Sequence, residues 1–206
     1  MNHKRNAMKK YSFREAGENI TIYEPVTFIG TENMVLRSNI IISEYAYIAA
    51  GLGLHIGSFI HIAAHSSISG GGICILEDFV GICAGARLIT GSEDVMGEGI
   101  ASPTVSDDIR SYYRSYVHCR RHSFVSTNAV IQPGVTIGEG AVVGSGSVVT
   151  KDLEPWGIYI GSPAKRVKDR PKERIMELEK KAYAERNIVI SDVSFFEQLI
   201  RNYDHE

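Results

Sequence analysis

No stretch of this 206-residue chain is apolar for long enough to cross a membrane, and its start carries no pattern of a secretory leader. Charge of one sign is also missing. Lys and Arg number 22 against 24 Asp and Glu, a net −2, so no chain-wide field argues for a nucleic acid or an anionic membrane as partner. Cysteine is scarce and odd in number. Cys74, Cys83 and Cys119 each stand where a small apolar residue would serve, and they read as core thiols in a reducing compartment rather than a disulfide or metal set. The expectation is a soluble cytoplasmic protein. Hydrophobic residues make up 44% of the chain, enough for one domain with a sizeable core and an appendage.

A further absence is more informative. From Cys119 to Leu153 neither the three-to-four spacing of a helix nor the alternation of a strand persists. The residues fall into sixes instead: Cys119-Arg-Arg-His-Ser-Phe, Val125-Ser-Thr-Asn-Ala-Val, Ile131-Gln-Pro-Gly-Val-Thr, Ile137-Gly-Glu-Gly-Ala-Val, Val143-Gly-Ser-Gly-Ser-Val and Val149-Thr-Lys-Asp-Leu-Glu. Position one is always apolar and position five small or aliphatic. Such a chain turns a corner every six residues, and three short strands make one triangular coil. Stacked coils bury their apolar positions against one another as a solenoid.

The same beat is present earlier, at Leu36, Ile42 and Ile48, at Ile56, Ile62 and Ile68, and at Leu76, Ile82 and Leu88. These early coils advance by 20 residues rather than 18. The extra residues fall at one corner, in Ala50-Gly-Leu-Gly-Leu54 and Gly70-Gly-Gly-Ile-Cys74, and predict a ridge of stacked bulges. The beat stops at Leu88. Residues 90–117 form an excursion rich in glycine and tyrosine, the kind of long insertion that folds over a site or a neighbouring subunit. Residues 1–35 read as an N-terminal arm and cap, 36–160 as the repeat domain and 161–206 as a helical extension. In that extension Pro171 suits the first turn of a helix with Ile175, Leu178 and Ala182 on its apolar stripe, and Ser194-Phe-Phe-Glu197 reads as a capping box.

The run from Asn128 to Asp152, followed by Gly161-Ser-Pro-Ala-Lys-Arg-Val, resembles the hexapeptide-repeat acyltransferases. Within them it is most similar to the galactoside, maltose and xenobiotic acetyltransferases, and in feel to the acyltransferases of dTDP-4-amino-4,6-dideoxy sugars. The resemblance covers about Leu36 to Val167 and implies an all-β left-handed parallel β-helix with a long inserted loop and C-terminal α-helices. It also implies a homotrimer with sites between subunits. The implied reaction moves an acetyl group from acetyl-CoA to a hydroxyl or amino group of a sugar or nucleotide-linked sugar, in surface polysaccharide biosynthesis.

Acetyl-CoA needs a groove for its pantetheine arm and positive charge for its phosphates. Small corner residues Ser126, Thr127, Gly144, Ser145 and Gly146 suit the groove, where backbone N–H and C=O groups pair with amides. The family match at Val149-Thr150-Lys151-Asp152 and at Lys165-Arg166 implies that Thr150, Lys151, Lys165 and Arg166 hold the rest of the cofactor. For the base, His65 is fourth in Ile62-Ala-Ala-His-Ser-Ser and projects outward. The catalytic histidine of galactoside acetyltransferases lies in the long loop, where this chain has Glu93 and Asp94. An imidazole takes a proton near neutral pH far better than an ordinary carboxylate. The expectation is that His65 is the base with Glu93 or Asp94 orienting it, or that a loop carboxylate does the work itself.

Two other readings compete. The pairs His118 and His122, or His61 and His65, raise a zinc site like that of the carbonic anhydrases sharing this prism, although their spacing differs by a residue and no metal site is expected. His3 and His205 lie near the termini. A non-catalytic solenoid scaffold is the third reading, opposed by the excursion that interrupts the repeat.

Overall fold

A computed structural model describes residues 10–203, so the first part of the expected N-terminal arm, with His3, and His205 at the other end lie outside the described residues. The chain winds a parallel β-helix of about seven turns with three faces. The first face stacks Glu15–Ala16, Met34–Leu36, Gly53–Ile56, Ile73–Leu76, Tyr116–Cys119 and Val135–Ile137. Ile20–Ile22, Ile40–Ile42, Ile60–Ile62, Gly81–Ile82, Phe124–Val125, Val142–Val143 and Gly157–Gly161 make the second, and Ala164–Asp169 folds back antiparallel on the last of these. The third stacks Thr27–Ile29, Tyr47–Ala49, Ser67–Ser69, Arg87–Ile89, Val130–Ile131 and Val148–Val149.

The six-residue beat sets this register. Leu36, Ile56, Leu76, Cys119 and Ile137 pair in sequence up the first face, and all are buried. Equivalent columns run down the other faces through Ile42, Ile62 and Ile82, and through Ile48, Ile68 and Leu88. Full burial of each such side chain is worth about 1.5–3 kcal/mol, and short strands gain it only in a stack. The winding already includes Glu15–Ile29, ahead of Leu36, with Ile22 and Val26 turned inward. At the other end Glu154-Pro155-Trp156 turns one more corner of the prism. Gly157–Gly161 continues the second face, and Tyr159 plugs the base from inside.

The extra residues of the early coils stack as expected, at the third corner between the third and first faces. A Cβ on Gly51, which has φ +55°, would lie 2.3 Å from the Gly71 backbone, so the bulges are in direct backbone contact. The excursion leaves from this same corner. Its base is an antiparallel hairpin of Gly91–Glu93 with Tyr112–Arg114, seated on Gly70 and Gly72. Cys74 and Cys119 are core thiols, and burial pushes the Cys119 thiol up to about 12. Cys83 differs from that reading. It sits half-buried at a corner, where the chain turns and no coil covers it fully.

Two helices follow: α1, Glu173–Arg186, and α2, Ser194–Tyr203. The apolar stripe expected on α1 is only partly right. Leu178 is 45% exposed, whereas Glu179 and Tyr183 turn to the prism because they find polar partners there. The capping box at Ser194 does not form either. Asp192 accepts the Ser194 N–H at 2.9 Å, and Glu197 is drawn away to Arg120 at 3.1 Å. The α2 helix lies on the first face over Val35, Ile73 and Ile75.

Beneath α2, His55 is fully buried with its ring 5.4 Å from that of Phe196, and neither ring nitrogen has a partner among the described residues. Burial, reinforced by the Arg37 charge, pushes its pKa down from 6.5 to about 4, against weaker opposite effects of Asp78 and Glu77. The unfolded chain therefore binds this proton first. The stability is complete above about pH 6.5 and is lost as pH falls toward 4, by about 3 kcal/mol at 1.36 kcal/mol per pH unit. Urea unfolding across that window is expected to show this acid loss in the parent and its disappearance in His55→Leu; an equal slope in the two proteins would contradict the assignment.

Candidate active site

Most corners of this prism turn on a residue with positive φ. At the second corner, between the second and third faces, those residues are Tyr45, His65, Gly85, Asn128 and Gly146. Corner-to-corner bonds stack them: Gly85 N–H donates to Ala64 at 3.0 Å, Asn128 N–H to Ala84 at 3.1 Å and Gly146 N–H to Thr127 at 2.9 Å. His65 is exposed, its ring stacked on Tyr45 with centroids 5.0 Å apart and planes within 3°. Two and three coils below it lie Ser126-Thr127 and Gly144-Ser145-Gly146, with Ser126 N–H donating to Val143 at 3.0 Å. One edge thus carries the expected base and the five expected groove residues.

The four remaining cofactor candidates divide. Thr150 and Lys151 are exposed but occupy the third corner, a whole face away. Lys165 and Arg166 lie on the returning strand, where alternation separates them. Lys165 is paired with Ile160, which packs outside against Gly144. Arg166 is paired with Tyr159 and points under the prism base. There its guanidinium donates to Asp169 at 2.8 and 3.2 Å and to the Tyr159 hydroxyl at 3.2 Å.

The excursion does not bring Glu93 and Asp94 to His65 within one chain. Gly91 packs on Gly70, at the far end of the strand that follows His65, a separation of roughly 16 Å for five extended residues. Both carboxylates are occupied. Glu93 accepts two bonds from Arg110 at 2.8 and 2.5 Å, and this partner holds it below the usual carboxylate range. Asp94 accepts the N–H groups of Met96, Gly97, Glu98 and Gly99, which lower it likewise. Its role here is to fold the loop tip, leaving Val95 and Met96 82% and 85% exposed.

Residues 116–151 match the family described as bacterial transferase hexapeptide (six repeats). Over 84% of its length the chain is 30% identical to dTDP-4-amino-4,6-dideoxy-D-glucose acyltransferase of Escherichia coli, covering 90% of that protein. The chain belongs to the hexapeptide-repeat acyltransferases. Among solved structures it is similar to AntD, an N-acyltransferase from Bacillus cereus. In complex with dTDP and 3-hydroxybutyryl-CoA that protein is 26% identical, with a TM-score of 0.83 over 91% of this chain and all of AntD. A variant of AntD complexed with dTDP-4-amino-4,6-dideoxyglucose and coenzyme A is 28% identical, with a TM-score of 0.80 over 86% of this chain and 94% of that one.

Membership in the acyltransferases decides between the transferase reading and the scaffold or zinc readings. The histidine pairs also do not converge. His61 bonds Ser43 at 3.0 Å on the second face, away from the His65 ring, and His118 lies under α2 while His122 turns the first corner. Glu77, His118 and Glu197 do come within 4.8 Å of one another, but Arg120 already bridges the two carboxylates at 3.2 and 3.1 Å.

Sequence reasoning missed the polar anchors of the first corner, between the first and second faces. There Phe59, Phe79 and His122 stack at 4.7 and 4.8 Å, and α1 covers them. Buried Asp78 accepts from Ser58 N–H at 2.7 Å, from the Tyr183 hydroxyl at 2.6 Å and from Ser191. Burial and that carboxylate raise the Tyr183 phenol. Glu179 meets Arg121 at 3.0 Å and His122 at 3.2 Å, although burial still lowers His122. The only sequence signal was a glutamate and a tyrosine, four residues apart, beside the apolar stripe of α1. Among the described residues no helix is long and apolar enough to cross a membrane.

The strand alternation puts the two cations on opposite sides of the sheet. Lys165→Ala is expected to raise the KM for acyl-CoA about tenfold, as loss of one charge-assisted contact does, with an unchanged melting temperature. Arg166→Ala is expected to lower the melting temperature instead. Steady-state kinetics and thermal unfolding check both, and the reverse pattern would relocate the phosphate contact.

Proposed function

We propose that the protein transfers the acyl group of an acyl-CoA to the amino group of a nucleotide-linked sugar of the 4-amino-4,6-dideoxy type. It would act in the cytoplasm, in surface polysaccharide biosynthesis, as a homotrimer with a site at each junction between copies. The observation that carries this reading is the second-corner edge, which stacks His65 above Ser126, Thr127, Gly144, Ser145 and Gly146. The kinship with acyltransferases of dTDP-amino sugars gives the acceptor class. Acetyl-CoA is the expected donor, and 3-hydroxybutyryl-CoA, bound by AntD, is the alternative.

Pantetheine lies along the lower second corner, where the N–H groups of Thr127 and Ser145 have no partner among the described residues and can pair with its amides, and Lys165 meets the phosphates. His65 takes the proton as the amine attacks the thioester carbonyl. Glu93 and Asp94, both ionised and already engaged, are poor bases. Their part is to hold the loop, whose exposed Val95, Met96, Tyr112 and Tyr113 close over the second corner of the neighbouring copy. The loop at the third corner and the acceptor edge at the second are separated within one chain. A trimer brings one beside the other without refolding either.

Release of thiol from acetyl-CoA and 3-hydroxybutyryl-CoA, with dTDP-4-amino-4,6-dideoxyglucose and free glycosides as acceptors, tests the reaction. Turnover with the nucleotide sugar alone is expected; turnover only with free glycosides would overturn the acceptor class. His65→Asn is expected to lower kcat about 10²–10⁴-fold while the trimer stays folded, and the pH–rate profile to lose an ionisation. Near-parental turnover in His65→Asn with none in Glu93→Gln would make the loop carboxylate the base. Light scattering that finds an active monomer would reject the shared site.

A further inference from the structure

The two ends of the proposed site bracket a place that no residue assigned so far occupies. His65 stands in one coil, and the pantetheine groove begins two coils below, at Ser126 and Thr127. The thioester joining them must therefore lie at the level of the coil between, and the corner of that coil is Gly85. Gly85 has no side chain, yet its space is filled. An ideal Cβ on Gly85 would lie 2.1 Å from Oδ1 of Asn128, so the Asn128 carboxamide rises from the coil below into the layer directly beneath His65.

Asn128 is an exposed residue at positive φ, a conformation that asparagine adopts readily. Backbone strain alone would explain an asparagine there, but not where its amide goes. At the first corner Asn19 and Asn39, also at positive φ, bond to each other at 2.6 Å. The Asn128 carboxamide makes no side-chain hydrogen bond among the described residues; its Oδ1 lies over the glycine, and because no hydrogen bond fixes the amide, a half-turn about Cβ–Cγ brings Nδ2 and its N–H donors to the reacting level.

We propose that Asn128 is a catalytic residue that donates an Nδ2–H hydrogen bond to the thioester carbonyl oxygen and holds the oxyanion formed there. The inference rests on the acyl-CoA reading above. The neutral amine attacks the carbonyl carbon, a C–N bond forms, and the carbonyl electron pair moves to the oxygen that Asn128 holds. His65 receives the amine proton. The C–S bond then breaks, the carbonyl re-forms, and the thiolate leaves as coenzyme A thiol with the proton returned from His65. Gly85 is the residue that lets the carboxamide enter, so the glycine and the asparagine work as a pair.

Two substitutions keep the corner conformation while removing the donor. Asn128→Gly tolerates positive φ, and Asn128→Asp preserves the shape but replaces the amide with a carboxylate. Both are expected to lower kcat by about 10²–10³-fold, as loss of one oxyanion donor does, with the KM for acyl-CoA within about threefold of the parent and an unchanged melting temperature. Asn128→Asp is expected to be the slower of the two, because its charge opposes the oxyanion. Near-parental kcat in Asn128→Asp would overturn the proposal, as would a loss confined to the KM for acyl-CoA. A parent that releases thiol from acyl-CoA with no nucleotide-linked amino sugar would instead overturn the reading on which the proposal rests, and this one with it.

Discussion

Positive backbone φ at the corners is the constraint on which the rest of the structure depends. At most corners of the prism one residue enters the left-handed region, and parallel register places those residues in columns. A bulky side chain there costs roughly 1–3 kcal/mol unless the surroundings offset it. At the first corner they do. Phe59, Phe79 and His122 stack ring on ring, and Tyr183 from α1 closes the stack edge-on. At the second corner Tyr45 and His65 stack in the same way, but no helix among the described residues covers them; Tyr45 remains 57% exposed. The chain closes one aromatic corner and leaves the other open.

The third corner is the one where extra residues accumulate. Gly51 and Gly71 carry the bulges upward until the corner opens into the excursion at Thr90, whose hydroxyl receives the Gly72 N–H at 2.9 Å. On the proposed function the prism supplies a firm frame and the loop a cover, at different corners. Backbone ladders and close-packed isoleucines fix the second corner. The loop, held by Arg110–Glu93 and by the Asp94 turn, leaves Val95 and Met96 exposed among the described residues.

Most of the prism was legible because its signal repeats. Fifteen positions from Leu36 to Val149 share one role, and an apolar residue at each is hard to obtain by chance. The first coil was legible only as a cap, because Glu15-Ala16 and Thr27-Phe28-Ile29 place mostly exposed residues at strand positions and break the pattern. For the candidate site, the shared edge of His65, Ser126 and Gly144 follows from position within a six-residue frame. Lys165 and Arg166 do not, because adjacent residues read as one cationic pair until strand pairing puts them on opposite sides. Glu93 and Asp94 were placed near His65 by nearness along the coil axis, a reasoning that overlooked the width of the third face. Glu179 and Tyr183 were invisible because a polar anchor needs its partner, here Arg121 or Asp78, some 58 and 105 residues away.

In the proposed trimer the open second corner is one half of a site whose other half is the loop of a neighbouring copy. Mixed assemblies test it most directly. Subunits carrying His65→Asn keep an intact loop, and subunits lacking residues 95–109 keep an intact second corner. Each kind alone is expected to be inactive, while co-folded mixtures regain turnover in proportion to junctions that join an intact corner to an intact loop. Mixtures as inactive as their separate components would show that corner and loop act within one chain, and would contradict the account.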